Sequence, residues 1–151
     1  MFHHIKSILQ KFTEPQKTGE PDRDRALQVA TAILLTEVMC ADHELHEQEK
    51  NTILHILQQQ FMLNDKQAID LLSYAEEKNK EVVSLHAYTS RINQLLDNAE
   101  RVKLIENMWR VIHADGEIDK YEEHLIRRIA ELLYVSHTDF IRSKHVALGQ
   151  D

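Results

Sequence analysis

Apolar residues recur every three to four positions along most of this chain, with polar residues between them, which is the pattern of amphipathic helices. The pattern predicts seven helices, whose apolar faces run over residues 27–39, 53–61, 69–75, 85–96, 102–112, 125–133 and 140–141. Two prolines and three glycines in 151 residues leave few positions that would interrupt a helix. The sequence therefore predicts an all-α helical bundle.

Several predicted helices begin at residues that commonly cap helices. Asn64 followed by Gln67 is typical of a capping box opening the third helix. Ser84 is a candidate N-cap for the fourth. Ser136 with Asp139 predicts the start of the last helix.

The N-terminal part of the chain, positions 1–21, forms a separate predicted region. Five apolar residues lie at helical spacing and predict a short N-terminal amphipathic helix: Phe2, Ile5, Ile8, Leu9 and Phe12. The stretch 13–22 holds both prolines and one glycine, so it reads as a linker, and the helical domain is expected over residues 22–151. The amphipathic helix could lie on a membrane surface or on a partner, but we expect it to pack on the bundle.

Composition narrows the class of protein. A chain of 151 residues that is 42% hydrophobic can bury a core without disulfides or metal. The net charge of −7 argues against nucleic acid as a partner and in favour of a cation. The single cysteine, Cys40, the lack of a signal-like N-terminus and the lack of a long apolar run predict a cytoplasmic protein that is not transmembrane.

An internal repeat relates the two halves of the chain. Without a gap, "MCADHELHEQEKNTILHIL" from Met39 aligns with "IHADGEIDKYEEHLIRRIA" from Ile112. Each copy reads as a helix, an acidic turn and a second helix. The predicted architecture is therefore an internally duplicated bundle of about seven helices, plus the short N-terminal one.

The acids of the second turn have the spacing of ligands for a hard divalent cation. Such an ion takes about six oxygen ligands, which a turn supplies from alternate side chains and from the helix that follows. The candidates are Asp115, Glu117, Asp119 and Glu122. Gly116 is expected to allow a tight turn after the first ligand. Ile118 is expected to point the other way and anchor the turn to the core.

The first turn is poorer in acids. Its candidate ligands are Asp42, Glu44 and Glu49, while His43 and His46 stand where the second turn has Gly116 and Asp119. Histidine suits a softer ion and weakens the case for calcium. The second turn should therefore dominate. We expect Ca²⁺, Mn²⁺ or Mg²⁺, with Zn²⁺ as second choice.

Helix capping is the alternative explanation for part of this pattern. Asp119 with Glu122 reads as a capping box, and acids are stabilised near a helix N-terminus by roughly 0.3–1 kcal/mol each. Capping leaves Asp115 and Glu117 unexplained, because they precede the cap. It also leaves unexplained the recurrence of the acids in both halves.

The two turns, "CADHELHEQE" and "HADGEIDKYEE", resemble the paired signature of the TerB-like tellurite-resistance family, which is related to the N-terminal domain of a membrane-anchored DnaJ-type co-chaperone. The resemblance covers residues 22–147 in architecture and is concentrated in the two turns. It implies an all-helical duplicated domain that binds divalent metal through the turn acids. It also implies a cytoplasmic component of stress-response assemblies near the membrane, and hence a protein partner.

These observations predict a non-catalytic, metal-binding sensor or scaffold. No nucleophile elbow or phosphate-cradling glycine loop supports an enzyme, and a hydrolase using a turn-bound metal would need an open coordination position. The rival function is a metal-independent interaction module whose acidic turns only cap helices.

Overall fold

In a computed structural model, the protein is an all-α bundle. The structure describes residues 20–41, 47–81, 84–114, 116 and 118–149. These residues form seven helices and no strand, as predicted: α1 (Glu20–Met39), α2 (Glu47–Phe61), α3 (Asp65–Asn79), α4 (Leu85–Leu95), α5 (Asn98–Ile112), α6 (Lys120–Leu132) and α7 (His137–Ala147). The first helix begins slightly before the predicted start of the domain at position 22.

The predicted caps at three helix starts are present. The Asn64 side chain accepts a hydrogen bond from the Gln67 amide (2.8 Å), and the Gln67 side chain accepts one from the Asn64 amide (2.9 Å). Ser84 and Ser136 cap α4 and α7. The first amides of a helix have no hydrogen-bond partner within it. These capping side chains accept from them and so fix where each helix begins.

Two central helices organise the core. Helix α1 packs against α2 to α6, and α5 packs against α1, α2, α6 and α7. Both central helices bury most of their length, and Trp109 of α5 is completely buried. The remaining helices surround this pair and cover it with their apolar faces.

The duplication appears in the helix boundaries themselves. Met39 and Ile112, which the repeat aligns, end α1 and α5, and the aligned residues Glu47 and Lys120 begin α2 and α6. The predicted unit was a helical hairpin, but it extends to a third helix. Helix α1 packs against α2 and α3, and α5 packs against α6 and α7. Helix α4 joins the two three-helix units.

One predicted core position is wrong. Ile69 was expected on the inner face of α3, but its side chain is 51% exposed. The buried residues of α3 are Ala68, Asp70, Leu71, Leu72, Tyr74 and Ala75. The alanines and leucines among them follow the i, i+3, i+4, i+7 stripe of a helix packed on one side, and Ile69 lies outside that stripe.

The N-terminal region lies outside the described residues up to position 19. The predicted amphipathic helix therefore stays a prediction. The domain boundary between positions 21 and 22 falls within the first turn of α1 and also stays a prediction. Among the described helices, none combines the length and the apolar character that crossing a membrane requires.

Candidate metal site at the two acidic turns

Three of the seven predicted metal ligands lie in the described part of the chain: Glu49, Asp119 and Glu122. The other four, Asp42, Glu44, Asp115 and Glu117, lie outside it, as do His43 and His46. The structure thus shows the helices that flank each turn and the acid that each following helix contributes.

Glu49 and Glu122 occupy the same place in the two units. Each is the third residue of the helix that follows its turn, and the repeat aligns the two. Their exposed fractions are 0% and 1%. Burying an ionised carboxylate carries a large desolvation cost unless hydrogen-bond donors or a cation compensate it. The first turn of a helix supplies part of that compensation through its exposed amides and its dipole.

Among the first-turn acids of α2 and α6, burial is confined to Glu49 and Glu122. Glu47, in the first turn of α2, is exposed. Glu123, directly after Glu122, is half-buried and pairs with Lys144 at 3.5 Å. The fold therefore turns inward the one first-turn acid of each helix that the repeat predicted as a ligand.

Asp119 acts as the N-cap of α6. Its Oδ1 accepts a hydrogen bond from the Tyr121 amide at 2.7 Å. Tyr121 is the second residue of the helix, whereas a capping box uses the third, so the predicted reciprocal pair with Glu122 is replaced by a simple cap. Capping therefore explains the position of Asp119 and does not explain the burial of Glu122.

The described residues of the second turn match their predicted roles. Gly116 has φ +88°, and its N–H donates to the His113 carbonyl at 2.9 Å. This left-handed conformation favours glycine. Ile118 is partly buried and packs against the core. The left-handed conformation of Gly116 and the packing of Ile118 against the core agree with these predictions.

The metal ligand set itself stays a prediction. Within the described ranges, no group of three or more His, Cys, Asp or Glu side chains is arranged to hold an ion. Four of the seven predicted ligands are outside those ranges. What the described part provides is a buried carboxylate behind each turn, which is the hard oxygen donor that Ca²⁺, Mg²⁺ or Mn²⁺ requires.

A second polar cluster, between α1, α3 and α4, was not predicted. Glu37 is half-buried, and burial raises the pKa of its carboxyl group. The Asn79 amide group lies 2.6 and 3.3 Å from the two Glu37 carboxylate oxygens, and its nitrogen can donate to both when it faces them. Burial also raises the pKa of Tyr88, with nearby Glu81 and Glu37 adding to the effect. In the sequence, Glu37 is an isolated acid within an apolar run.

The pKa of Tyr74 on α3 is raised as well. Burial raises the pKa of Tyr74 first, and the neighbouring Tyr88 and Glu81 raise it further. The cluster therefore joins three helices through groups whose charged forms are disfavoured. It lies between the first unit and the connecting helix α4, and Arg110 holds the position in the second unit that corresponds to Glu37.

An ion pair between the second and third helices occurs in both units. Lys50 on α2 pairs with Glu76 on α3 at 3.5 Å. The residue equivalent to Lys50 is Glu123, which pairs with Lys144 on α7. Each unit thus links its second and third helices through an ion pair from the same position of the second helix, with the charges reversed, although Glu76 and Lys144 lie at different points of the third helices.

Comparison with known proteins identifies the family. The sequence matches the family described as "Tellurite resistance protein TerB" over residues 28–145. This range runs from α1 into α7 and includes both acidic turns. A search of curated proteins found no match, and neither did a search of solved structures. The match spans well over half of the chain, and the chain belongs to the TerB tellurite-resistance family.

Proposed function

We propose that this protein is a non-catalytic TerB domain that binds one or two divalent cations at its duplicated acidic turns. It acts as a sensor or scaffold in a stress response of the tellurite-resistance type, together with a protein partner. The observation that carries this proposal is the complete burial of Glu49 and Glu122 at matched positions directly behind the two turns.

The donor set suits a hard cation. In the second turn, Glu122 would contribute a buried carboxylate, with Asp115, Glu117 and Asp119 completing the oxygen ligands. Binding would then couple the turn to α6, because Glu122 belongs to the first turn of that helix. This coupling is what a sensor needs.

The rival function has one observation in its favour. Asp119 caps α6 through the Tyr121 amide, so part of the acidic pattern serves helix formation. On this alternative, the acidic turns only cap helices, metal is irrelevant, and the protein is an interaction module that binds its partner through its grooves.

Metal titration separates the two functions. Metal-free protein is titrated with Ca²⁺, Mn²⁺, Mg²⁺ and Zn²⁺ by calorimetry, and its melting temperature is measured with each ion. The wild type should bind at least one ion, and the Asp115→Asn, Glu117→Gln double variant should lose that binding. Indifference of the wild type to all four ions would overturn the metal proposal and favour the interaction module.

A matched control uses first-turn acids that are not predicted ligands. Glu47→Gln and Glu123→Gln each remove one carboxylate near a turn and leave the predicted ligands intact. These variants should retain metal binding. Equal losses in the control and in the double variant would mean that the ions respond to the general negative charge of the region and not to a defined site.

A further inference from the structure

A groove lies between α2 and α5. It has a volume of about 490 Å³. Its floor is apolar and comes from Leu27 of α1, Ile56 of α2 and Leu96 at the start of the α4–α5 connection. Exposed or partly exposed polar side chains line its rim, namely His55, Gln59, Gln60, Glu100, Lys103 and Arg110, and the buried Asn107 also lines it.

The groove continues towards the N-terminal end of α1. A second depression, of about 360 Å³, is lined by Arg23, Asp24 and the end of α2, and it shares Leu27, Gln60 and Glu100 with the first. Met62 stands at this end with 87% of its surface exposed. Its φ of 57° is a conformation that non-glycine residues rarely adopt. An exposed apolar side chain in this conformation gives the fold no packing in return.

The start of α1 places a particular segment next to this groove. Helix α1 begins at Glu20, one turn before Arg23 and Asp24, which line the groove. Residues 13–19 can span up to roughly 25 Å when extended. Residues 2–12 would form a helix of about 16 Å. The apolar N-terminal segment is therefore tethered within reach of the apolar floor.

The sequence pattern and the charge of the N-terminal segment are also compatible with binding in this groove. The segment has five apolar residues at helical spacing and a polar face with Lys6 and Lys11, and residues 1–12 contain no acid. The chain as a whole has a charge of −7. The end of the groove nearest α1 carries the acids Asp24 and Glu100 beside Arg23, and Lys103 and Arg110 lie farther along the groove, so the attraction comes from the charge of the whole chain and not from the groove lining. A basic segment is attracted to an acidic domain to which it is tethered.

We infer that residues 2–12 dock as an amphipathic helix in the groove between α2 and α5 of the same chain. The apolar face of the segment covers the floor formed by Leu27, Ile56 and Leu96, and Met62 flanks its entrance. This interaction surface is distinct from the acidic turns and does not depend on metal.

Disulfide trapping in the full chain tests the inference. In a Cys40→Ser background, Gln10→Cys is combined in turn with Gln59→Cys, Gln60→Cys or Lys103→Cys on the rim. The matched control combines Gln10→Cys with Gln94→Cys, an exposed position on α4 that lines a different depression. Because a disulfide needs the two Cα atoms within about 4.4–6.8 Å, at least one rim pair should oxidise about tenfold faster than the control.

A second test introduces negative charge on the apolar face of the N-terminal segment. Adding Ile5→Asp and Leu9→Asp should reduce the rim cross-linking rate to that of the Gln94 pair. Equal rates at the rim and at the control position would overturn the inference. So would rim cross-linking that is unchanged by the two aspartates, because the tether alone would then explain it.

Two alternatives predict different results: a second copy of the chain could fill the groove, or the N-terminal segment could bind a lipid surface. Equal amounts of the Gln10→Cys variant and the Gln60→Cys variant are mixed, and covalent dimers forming faster than intramolecular cross-links would assign the groove to a second copy. Vesicles of phosphatidylserine and phosphatidylcholine test a lipid surface. Co-sedimentation that the two aspartates abolish, with no rim cross-link in the absence of vesicles, would place the segment on the membrane.

Discussion

Met62 and Tyr134 adopt the same left-handed conformation, with φ 57° in each. They follow the equivalent helices α2 and α6, and both are exposed. The amide after each of them bonds back into the helix: Leu63 donates to Gln58 O (3.2 Å), and Val135 donates to Ala130 O (3.0 Å). This is the Schellman ending of a helix, whose left-handed position is usually glycine. The repeat thus extends to the way in which these helices end.

Glycine at either position should stabilise the protein. A non-glycine residue in the left-handed region destabilises the folded state by about 1–2 kcal/mol. Glycine removes this strain, but it also gives the unfolded chain more conformational freedom, which offsets part of the gain. We expect Tyr134→Gly and Met62→Gly each to raise the free energy of unfolding by about 0.5–1 kcal/mol in urea melts. Glu131→Gly, in the last turn of α6, should lower it by a similar amount. Destabilisation by all three variants would contradict the conformational argument.

The helical periodicity predicted all seven described helices because each buries a single stripe against the central pair. It misplaced Ile69, since a short apolar cluster fits two adjacent stripes and only packing chooses between them. It also missed the capping box of Asp97 and Glu100, which the spacing alone could have indicated.

The candidate site was predicted in part. The ungapped repeat correctly placed Glu49 and Glu122 at equivalent positions. It could not show that both are buried, because burial depends on how the two halves pack. Nor did it show that the repeat continues into α3 and α7. The starts of α6 and α7 are 17 positions apart (120 to 137), whereas the starts of α2 and α3 are 18 positions apart (47 to 65), and this one-residue change of register hides the similarity in an ungapped alignment.

The two turns should differ in their response to metal. With Glu122→Gln, we expect loss of the rise in melting temperature that the ion gives the wild type, because the second turn carries more acids. Glu49→Gln should retain most of that rise. At a concentration a hundred times the Kd, a ligand that binds only the folded state contributes about 2.7 kcal/mol. A larger loss with Glu49→Gln would reverse the predicted order of the turns.

Glu37 should make stability depend on pH. Burial raises its pKa above the ordinary value of 4.5, so the folded state holds the proton more tightly than the unfolded state does. The destabilisation caused by ionising the buried Glu37 is absent below the pKa of Glu37 in the unfolded chain. It grows as the pH rises through the interval up to the raised folded pKa, and it is fully present above that.

The Glu37→Gln variant tests this dependence. It removes the ionised form and can still accept the hydrogen bond from Asn79. Its free energy of unfolding should exceed that of the wild type near neutral pH, and the difference should shrink towards about pH 4. Urea melts at both pH values give the comparison, with Glu131→Gln, an exposed glutamate, as the control. A difference independent of pH would mean that packing, and not ionisation, explains the change.

The contact between Trp109 and Phe140 should hold the last helix on the bundle. Their ring centroids are 5.6 Å apart, and Lys144 lies 5.1 Å from the centre of the Trp109 ring. Phe140 is 4% exposed. Phe140→Ala should therefore lower the free energy of unfolding by about 3–5 kcal/mol. The emission of Trp109, the only tryptophan in the chain, should shift as its partner ring is lost.

Two further variants make that measurement selective. Phe140→Leu keeps most of the volume and should cost less than about half as much as alanine. Ile69→Ala removes a comparably apolar but exposed side chain and should change stability by no more than about 0.5 kcal/mol. If Ile69→Ala proved as costly as Phe140→Ala, apolar surface lost from anywhere in the chain would explain both results. A large loss confined to Phe140→Ala, with an emission shift at Trp109, requires that α7 be anchored through this aromatic contact.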